Sequence, residues 1–289
     1  MCQRQLLRRP RPSILRHEGG AATKTTANGI TVNYELTGQG NCLVLVHGAG
    51  DNLQMWYGQV PVFSQRYGVL TYDVRGFGET EFPEAEVGAA LLAADLRALL
   101  RALDIPRAFV LGYSMGGRIA LELALDAPEM VRALVLSNSG IGVGPRPPGA
   151  EERRRGLIDA LERGDLETAA EQMTAASFSP GLKERDPALF ERYKRIKLAN
   201  NPRSFARVWG AMMRASPPDV SRLSCPVLLI AGERDGFMSL EAARSTHAAI
   251  AGSHLELLPT GHAAALEAPQ EFNRLIFDFL AGIEKKERT

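Results

Sequence analysis

Three residues set the chemistry this chain could perform. Ser114 lies in Gly112-Tyr113-Ser114-Met115-Gly116, between an apolar run, Phe109-Val110-Leu111, and a helix-like pattern. A G-x-S-x-G in that context places a serine at the tip of a sharp strand-to-helix turn. Strand and helix approach closely there, so the positions two before and two after the serine must be nearly side-chain free, and Gly117 adds a second small residue. A hydroxyl at its ordinary pKa is a weak nucleophile and needs a base beside it. Of the five histidines, His17 is in an N-terminal tail, His47 follows a buried strand, His247 lies in a helix and His254 opens a strand. His262, in the loop Thr260-Gly261-His262 after the last strand, is the favoured base. The base in turn needs an acid to fix its tautomer. Asp235, in Gly232-Glu233-Arg234-Asp235, is the favoured acid and Glu233 the second choice; the loop after 133–137 offers only Asn138 and Ser139, neither a carboxylate. This set supports nucleophilic catalysis by a base-activated serine.

An oxyanion needs donors as well. His47-Gly48-Ala49-Gly50 follows a buried strand, and its small residues let a backbone N–H approach a substrate oxygen. Ala49 and Met115 are the two candidate donors, the second at a helix N-terminus where anions are favoured. His47 itself reads as a residue that shapes the loop.

Strands and helices must bring these loops together. Ala27-Asn28-Gly29-Ile30 is a hairpin turn signal, and Ile30, Val32, Tyr34 and Leu36 then alternate as in an edge strand with one wet face. A continuous apolar run at 43–46 reads as a strand buried on both faces, and 69–72 reads as the next strand. A helix is expected over 87–103, strands at 133–137, 227–231 and 255–258, and helices over 240–250 and 268–282. Strands alternating with helices predict an α/β fold with a mostly parallel, doubly wound sheet. The sheet is expected to be built from 24–142 and 219–285.

Residues 143–218 contain no strand-like run. A Gly/Pro-rich linker leads into helical segments near 151–163, 165–177, 187–199 and 202–214, which read as a cap over the sheet's C-terminal edge. Trp209, Met212 and Met213 are candidate pocket residues, with Tyr113 beside the serine. Ala263-Ala264-Ala265 either leave volume beside His262 or start a small-residue helix packed against the cap.

Composition narrows the partners. Whole-chain charge is +1, and residues 1–16 carry five arginines and no acid; +1 less +5 leaves −4 for the rest, which argues against a nucleic-acid partner. Residues 1–23 read as a basic, disordered tail without the apolar core of a secretory signal, an organelle transit peptide being the alternative. No window approaches the ~20 apolar residues of a membrane span. Cys2, Cys42 and Cys225 do not make a disulfide framework. The expectation is a cytoplasmic monomer or homodimer acting on a small molecule, with no membrane or nucleic-acid partner.

Several stretches together resemble the α/β-hydrolase superfamily over about residues 24–283: His47-Gly48-Ala49-Gly50 with Trp56, Asp73-Val74-Arg75-Gly76-Phe77-Gly78, Gly112–Gly117, Gly232–Asp235, and Gly261-His262 with Glu267-Ala268-Pro269. Ser114, Asp235 and His262 also follow that fold's chain order. Within it the chain looks most like the 3-oxoadipate enol-lactonases, small esterases and haloperoxidase-like perhydrolases. The resemblance implies acyl transfer to water through an acyl-serine, with no metal or cofactor, and assigns Asp73 and Arg75 to a structural turn. Thr80, where serine is frequent, and the 263–265 alanines depart from the pattern. Relatives that dehalogenate or open epoxides carry aspartate at the nucleophile position, unlike Ser114. Those that hydrolyse carbon–carbon bonds often show G-N-S-x-G-G, where this chain has Tyr113. They remain an alternative, as do a slow-turnover ligand-binding receptor and a non-hydrolytic lyase on the same fold.

Overall fold

Asn28 and Gly29 both take positive φ, 49° and 75°. They close a two-residue turn between antiparallel strands β1 (Thr23–Ala27) and β2 (Ile30–Thr37). Positive φ at both positions gives the turn a twist that matches the flanking strands. The computed structural model describes residues 23–83 and 86–288. The expected basic tail, apart from Thr23, and His17 and Cys2 with it, lies outside those residues.

Six further strands complete the sheet: β3 (Cys42–Val46), β4 (Gly68–Tyr72), β5 (Ala108–Tyr113), β6 (Val131–Ser137), β7 (Val227–Gly232) and β8 (His254–Leu258). Their spatial order is β1-β2-β4-β3-β5-β6-β7-β8. Strands β3 to β8 are mutually parallel, and β2 alone runs against them, antiparallel to both of its neighbours β1 and β4. One expectation needs correction. β2 is not the edge strand, because β1 pairs along its outer side. The Thr23-Lys24-Thr25-Thr26 run of β1 has no apolar alternation to announce a strand, and the supposed wet face of β2 includes Asn33, buried by its bonds to Thr80 and Asp73.

Period-two alternation along β3 divides the core between the two faces. Val44 and Val46 join one buried cluster, Leu43 and Leu45 the other. Helices Ala89–Ala102 and Met115–Asp126 cover the first face, the former through Leu92, Leu96, Leu99 and Leu100. Helix Pro269–Lys286 covers the second through Phe272, Ile276 and Leu280. Each such fully buried side chain contributes about 1.5–3 kcal/mol. The helix expected at 268–282 starts at Pro269, and a separate short helix, Ala264–Glu267, precedes it. Proline disfavours helical backbone at the residue before it, and Ala268 is non-helical at φ −135° and ψ 61°.

Between β6 and β7 the chain is helical: Ala150–Glu162, Leu166–Ser177, Leu182–Arg185, Pro187–Leu198 and Pro202–Arg214. Their starts are written in the sequence. The side chains of Asp165, Asp186 and Asn201 each accept from backbone N–H groups in the first turn, and Pro187 and Pro202 sit at the first helical position. Strand order reverses at β3, with β4 on one side and β5 on the other. Ligand sites of open α/β sheets form beyond the strand ends at such a switch, and the loops after β3 and β5 carry Ala49 and Ser114.

Candidate active site

Ser114 has φ 53° and ψ −117°, a conformation that only the surrounding structure can impose on a non-glycine residue. Its N–H donates to the Ser137 carbonyl on β6 (2.9 Å), and its own carbonyl accepts from Gly117 N–H (3.0 Å). The flanking glycines are sterically required. A Cβ at Gly112 would lie 2.3 Å from the Gly116 carbonyl oxygen, and one at Gly116 would lie 2.2 Å from that of Val46.

Two hydrogen bonds join the serine to the other predicted residues. His262 Nε2 lies 2.9 Å from Ser114 Oγ, and His262 Nδ1 lies 2.7 Å from Asp235 Oδ2. Asp235 is buried and its carboxylate is held from several sides. Oδ1 accepts from the N–H groups of Phe237 (2.7 Å) and Met238 (3.0 Å), and Oδ2 accepts from Asn138 Nδ2 (3.1 Å). Glu233, the second choice for the acid, is exposed. The imidazole sits between two rings, Tyr113 at 5.1 Å and Phe237 at 4.9 Å. Its loop is braced by Glu267, which accepts from Gly261 N–H (2.8 Å) and from Ser179 of the helical insertion. The other described histidines stand apart: His254 is at the start of β8, and His247 bonds Ser253.

His47 shapes the loop after β3. Val74 N–H donates to its Nε2 (2.9 Å), so the ring proton sits on Nδ1 and donates to the Gly48 carbonyl (2.8 Å). Full burial pushes the His47 pKa below its usual value, which keeps the ring neutral. Asp73 likewise binds backbone, accepting from Leu53 and Glu79 N–H, and Arg75 forms a buried pair with Asp95 at 2.6 Å. Neither side chain faces the serine.

A cavity of about 260 Å³ opens over Ser114 and His262. Ala49 and Met115 border it beside the serine, while Met173, Trp209, Met212 and Met213 close it from the helical insertion. Five of the chain's eight methionines line it, Met115 and Met238 included. Thioethers on unbranched chains make such a wall apolar and adaptable. Tyr113 departs from expectation. It lies fully buried beneath the turn and outside the cavity lining, with its hydroxyl 3.4 Å from that of Tyr193. The alanines at 263–265 also lie outside the lining. They are buried in packing, and Ala263 N–H donates to the Ser177 carbonyl of the insertion (2.7 Å). Among the described residues no group of three metal-ligating side chains is assembled.

A family model for the alpha/beta hydrolase fold matches residues 41–269. The chain belongs to the α/β-hydrolase family. It is 31% identical over 254 residues to 3-oxoadipate enol-lactonase 2 of Acinetobacter baylyi, covering 87% of this chain and 93% of that one. It is 29% identical to 2-hydroxy-6-oxo-2,4-heptadienoate hydrolase of Pseudomonas putida, covering 88% of this chain and 94% of that one. Among solved structures, the enol-lactonase from Burkholderia xenovorans superposes with a TM-score of 0.83 at 25% identity, over 90% of this chain and all of that one. In this α/β-hydrolase Ser114 follows directly on β5 and His262 lies in the loop after β8. Residues that motif reading left aside complete the site. Asn138, which is no carboxylate, donates from Nδ2 to Asp235, and its position straight after β6 was the available signal. Phe237 packs at a tilt against His262, a contact that follows from its place two residues after Asp235 and has no motif of its own.

Proposed function

We propose that this α/β-hydrolase is a serine hydrolase that cleaves a small or medium carboxylic ester or lactone through an acyl-serine intermediate. The observation that carries the reading is the continuous path from Ser114 Oγ to His262 Nε2 (2.9 Å) and from His262 Nδ1 to Asp235 (2.7 Å). Ser114 Oγ attacks the carbonyl carbon as His262 Nε2 takes its proton. The carbonyl oxygen becomes an anion facing the N–H groups of Ala49 and Met115. His262 returns the proton to the departing alkoxide or enolate. A water, deprotonated in turn by His262, hydrolyses the acyl-serine. Asp235 keeps the imidazole proton on Nδ1 and stabilises the imidazolium. No step of this sequence calls on a metal or cofactor.

Cavity size and lining support the substrate class. About 260 Å³ lies at or below the range for drug-sized ligands, and its methionines and Trp209 favour a compact apolar acyl group. A relative named an enol-lactonase supports ester or lactone chemistry, whereas the Pseudomonas relative's name keeps carbon–carbon hydrolysis as a test arm. The decisive experiment compares kcat/KM for short and long esters, simple lactones and a vinylogous diketone, with Ser114→Ala as blank. Ser114-dependent turnover fastest on short esters or lactones is expected. Faster diketone cleavage, a preference for acyl chains beyond about ten carbons, or turnover retained in Ser114→Ala would overturn the reading.

A further inference from the structure

Asp51 follows directly on His47-Gly48-Ala49-Gly50, and both of its carboxylate oxygens are engaged far from water. Oδ1 accepts from Lys197 Nζ at 2.7 Å, and Oδ2 accepts from the Tyr193 hydroxyl at 3.1 Å. Both side chains of the ion pair are 1% exposed. Lys197 and Tyr193 belong to helix Pro187–Leu198 of the insertion, whereas Asp51 belongs to the loop that carries Ala49, a residue of the cavity lining. Asp51 N–H also donates back to the Gly48 carbonyl (3.2 Å), so Ala49 sits inside a turn whose last residue is this aspartate.

Neighbouring contacts repeat the attachment. Asn200 Nδ2 donates to the Gly50 carbonyl (2.8 Å), and Asn52 Nδ2 donates to the Ile196 carbonyl (3.2 Å). On the other side, the Tyr193 hydroxyl meets that of Tyr113, the residue before Ser114. Burial and the Asp51 charge push the pKa of both tyrosines well up, which keeps them protonated and able to donate. Burial pulls the Lys197 pKa down and Asp51 pulls it back up.

A buried ion pair is a poor way to add stability. Desolvation costs several kcal/mol per ion, and well-packed apolar residues of the same volume serve as well or better. The established use of such pairs is to fix one arrangement among several. We propose that Lys197 and Asp51 are positioning residues through which the helical insertion holds the Ala49 loop in register, so that the Ala49 N–H points at the developing oxyanion. The contact acts through backbone geometry and touches no reacting atom. It rests on the hydrolase reading above.

Losing an oxyanion donor outright costs about 10²–10³ in rate, and a loosened loop forfeits part of that. The test is the double variant Asp51→Asn/Lys197→Met, which removes both charges at nearly constant volume, alongside Tyr193→Phe, which deletes one oxygen. Active sites are titrated with an organophosphonate that labels Ser114, and kinetics are read on a short activated ester. The double variant is expected to lose ten- to a hundredfold in kcat per titrated site with KM within twofold. Tyr193→Phe is expected to show the same split at two- to fivefold. That pattern identifies an interaction made only in the transition state. A merely structural pair would lower the melting temperature and leave kcat per titrated site unchanged. If the double variant fails to fold, Tyr193→Phe decides alone. A kcat within 1.5-fold (on the order of assay error) in every folded variant overturns the proposal. If wild-type turnover is not lost in Ser114→Ala, the hydrolase reading itself has failed and this inference falls with it.

Discussion

Asn138 donates from Nδ2 to the same Asp235 oxygen that His262 Nδ1 binds, Oδ2, at 3.1 Å and 2.7 Å respectively. The carboxamide therefore shares Asp235 with His262. It also holds the His262 loop, since Nδ2 lies 3.3 Å from the Gly261 carbonyl. Asn138 itself has φ +46°, a conformation asparagine tolerates better than most residues.

This arrangement separates two roles in one position. Asn138→Gly keeps the backbone conformation and removes the carboxamide, so kcat is expected to fall about tenfold, in line with a hydrogen bond to a charged group worth about 1.5–3 kcal/mol. Asn138→Ala loses the same bond and adds about 1–2 kcal/mol of backbone strain, so it should also unfold at lower temperature. Steady-state kinetics and thermal melts of the two variants check this. Full activity in Asn138→Gly would leave Asn138 no part in orienting the acid.

Strain at Ser114 gives a stability prediction. At φ 53° and ψ −117° a Cβ is disfavoured, at a cost of order 1–3 kcal/mol. Ser114→Gly and Ser114→Ala should both lose at least about 10⁴-fold in ester hydrolysis, leaving at most the catalysis that donors and binding supply. Ser114→Gly relieves the strain but regains unfolded-chain entropy, worth about 0.5–1 kcal/mol. The expected net effect is a glycine variant at least as stable as the alanine variant. Denaturant melts that rank alanine clearly higher would show that the turn holds no strain.

Much of this site was legible because its steric demands are absolute. A Cβ at Gly112 or Gly116 would lie 2.2–2.3 Å from a carbonyl oxygen, so no other residue type fits. Short apolar runs likewise announced β3 and β5 as buried strands. The hidden parts are those where polar tertiary contacts replace a local pattern. β1 is a threonine-rich strand, recognisable only once paired with β2. Asp51 and Lys197 are 146 residues apart, and no local rule joins a loop aspartate to a helix lysine across that distance. Tyr113 and the alanines at 263–265 were ambiguous between pocket and packing, because small or amphipathic side chains serve either, and only the fold brings Tyr193 and Ser177 against them.

His47 carries a pH prediction. Burial depresses its folded-state pKa below the unfolded value of 6.5. The unfolded chain then binds more protons as pH falls through 6.5, so the contribution of His47 to stability is complete above that pH and is lost progressively below it. The limiting slope is about 1.4 kcal/mol per pH unit for one proton. Unfolding free energy measured from pH 7.5 down to pH 5 should fall more steeply for the wild type than for His47→Gln, which does not titrate. Parallel curves would mean that the ring is not held neutral in the fold.

Met212 tests the acyl pocket. Its side chain is 6% exposed and lines the cavity from helix Pro202–Arg214, whereas neighbouring Met213 is 38% exposed. Shortening Met212 to alanine opens apolar volume in the cavity that Ser114 also lines, where the proposed reaction puts the acyl group. Each added substrate methylene that enters this space gains about 0.8 kcal/mol, close to fourfold in kcat/KM. In Met212→Ala, the kcat/KM series from acetyl to hexanoyl esters should therefore tilt towards longer chains, by roughly fourfold for each carbon accommodated. Met213→Ala, with much of its side chain already in water, should leave the series nearly as it was. Because Met212 is buried, its truncation also removes about 2–5 kcal/mol of stability. The comparison is therefore made as a ratio between substrates on one preparation, which cancels any loss of folded enzyme. A ratio unchanged by Met212→Ala, or one moved equally by Met213→Ala, would place the acyl chain elsewhere in the cavity.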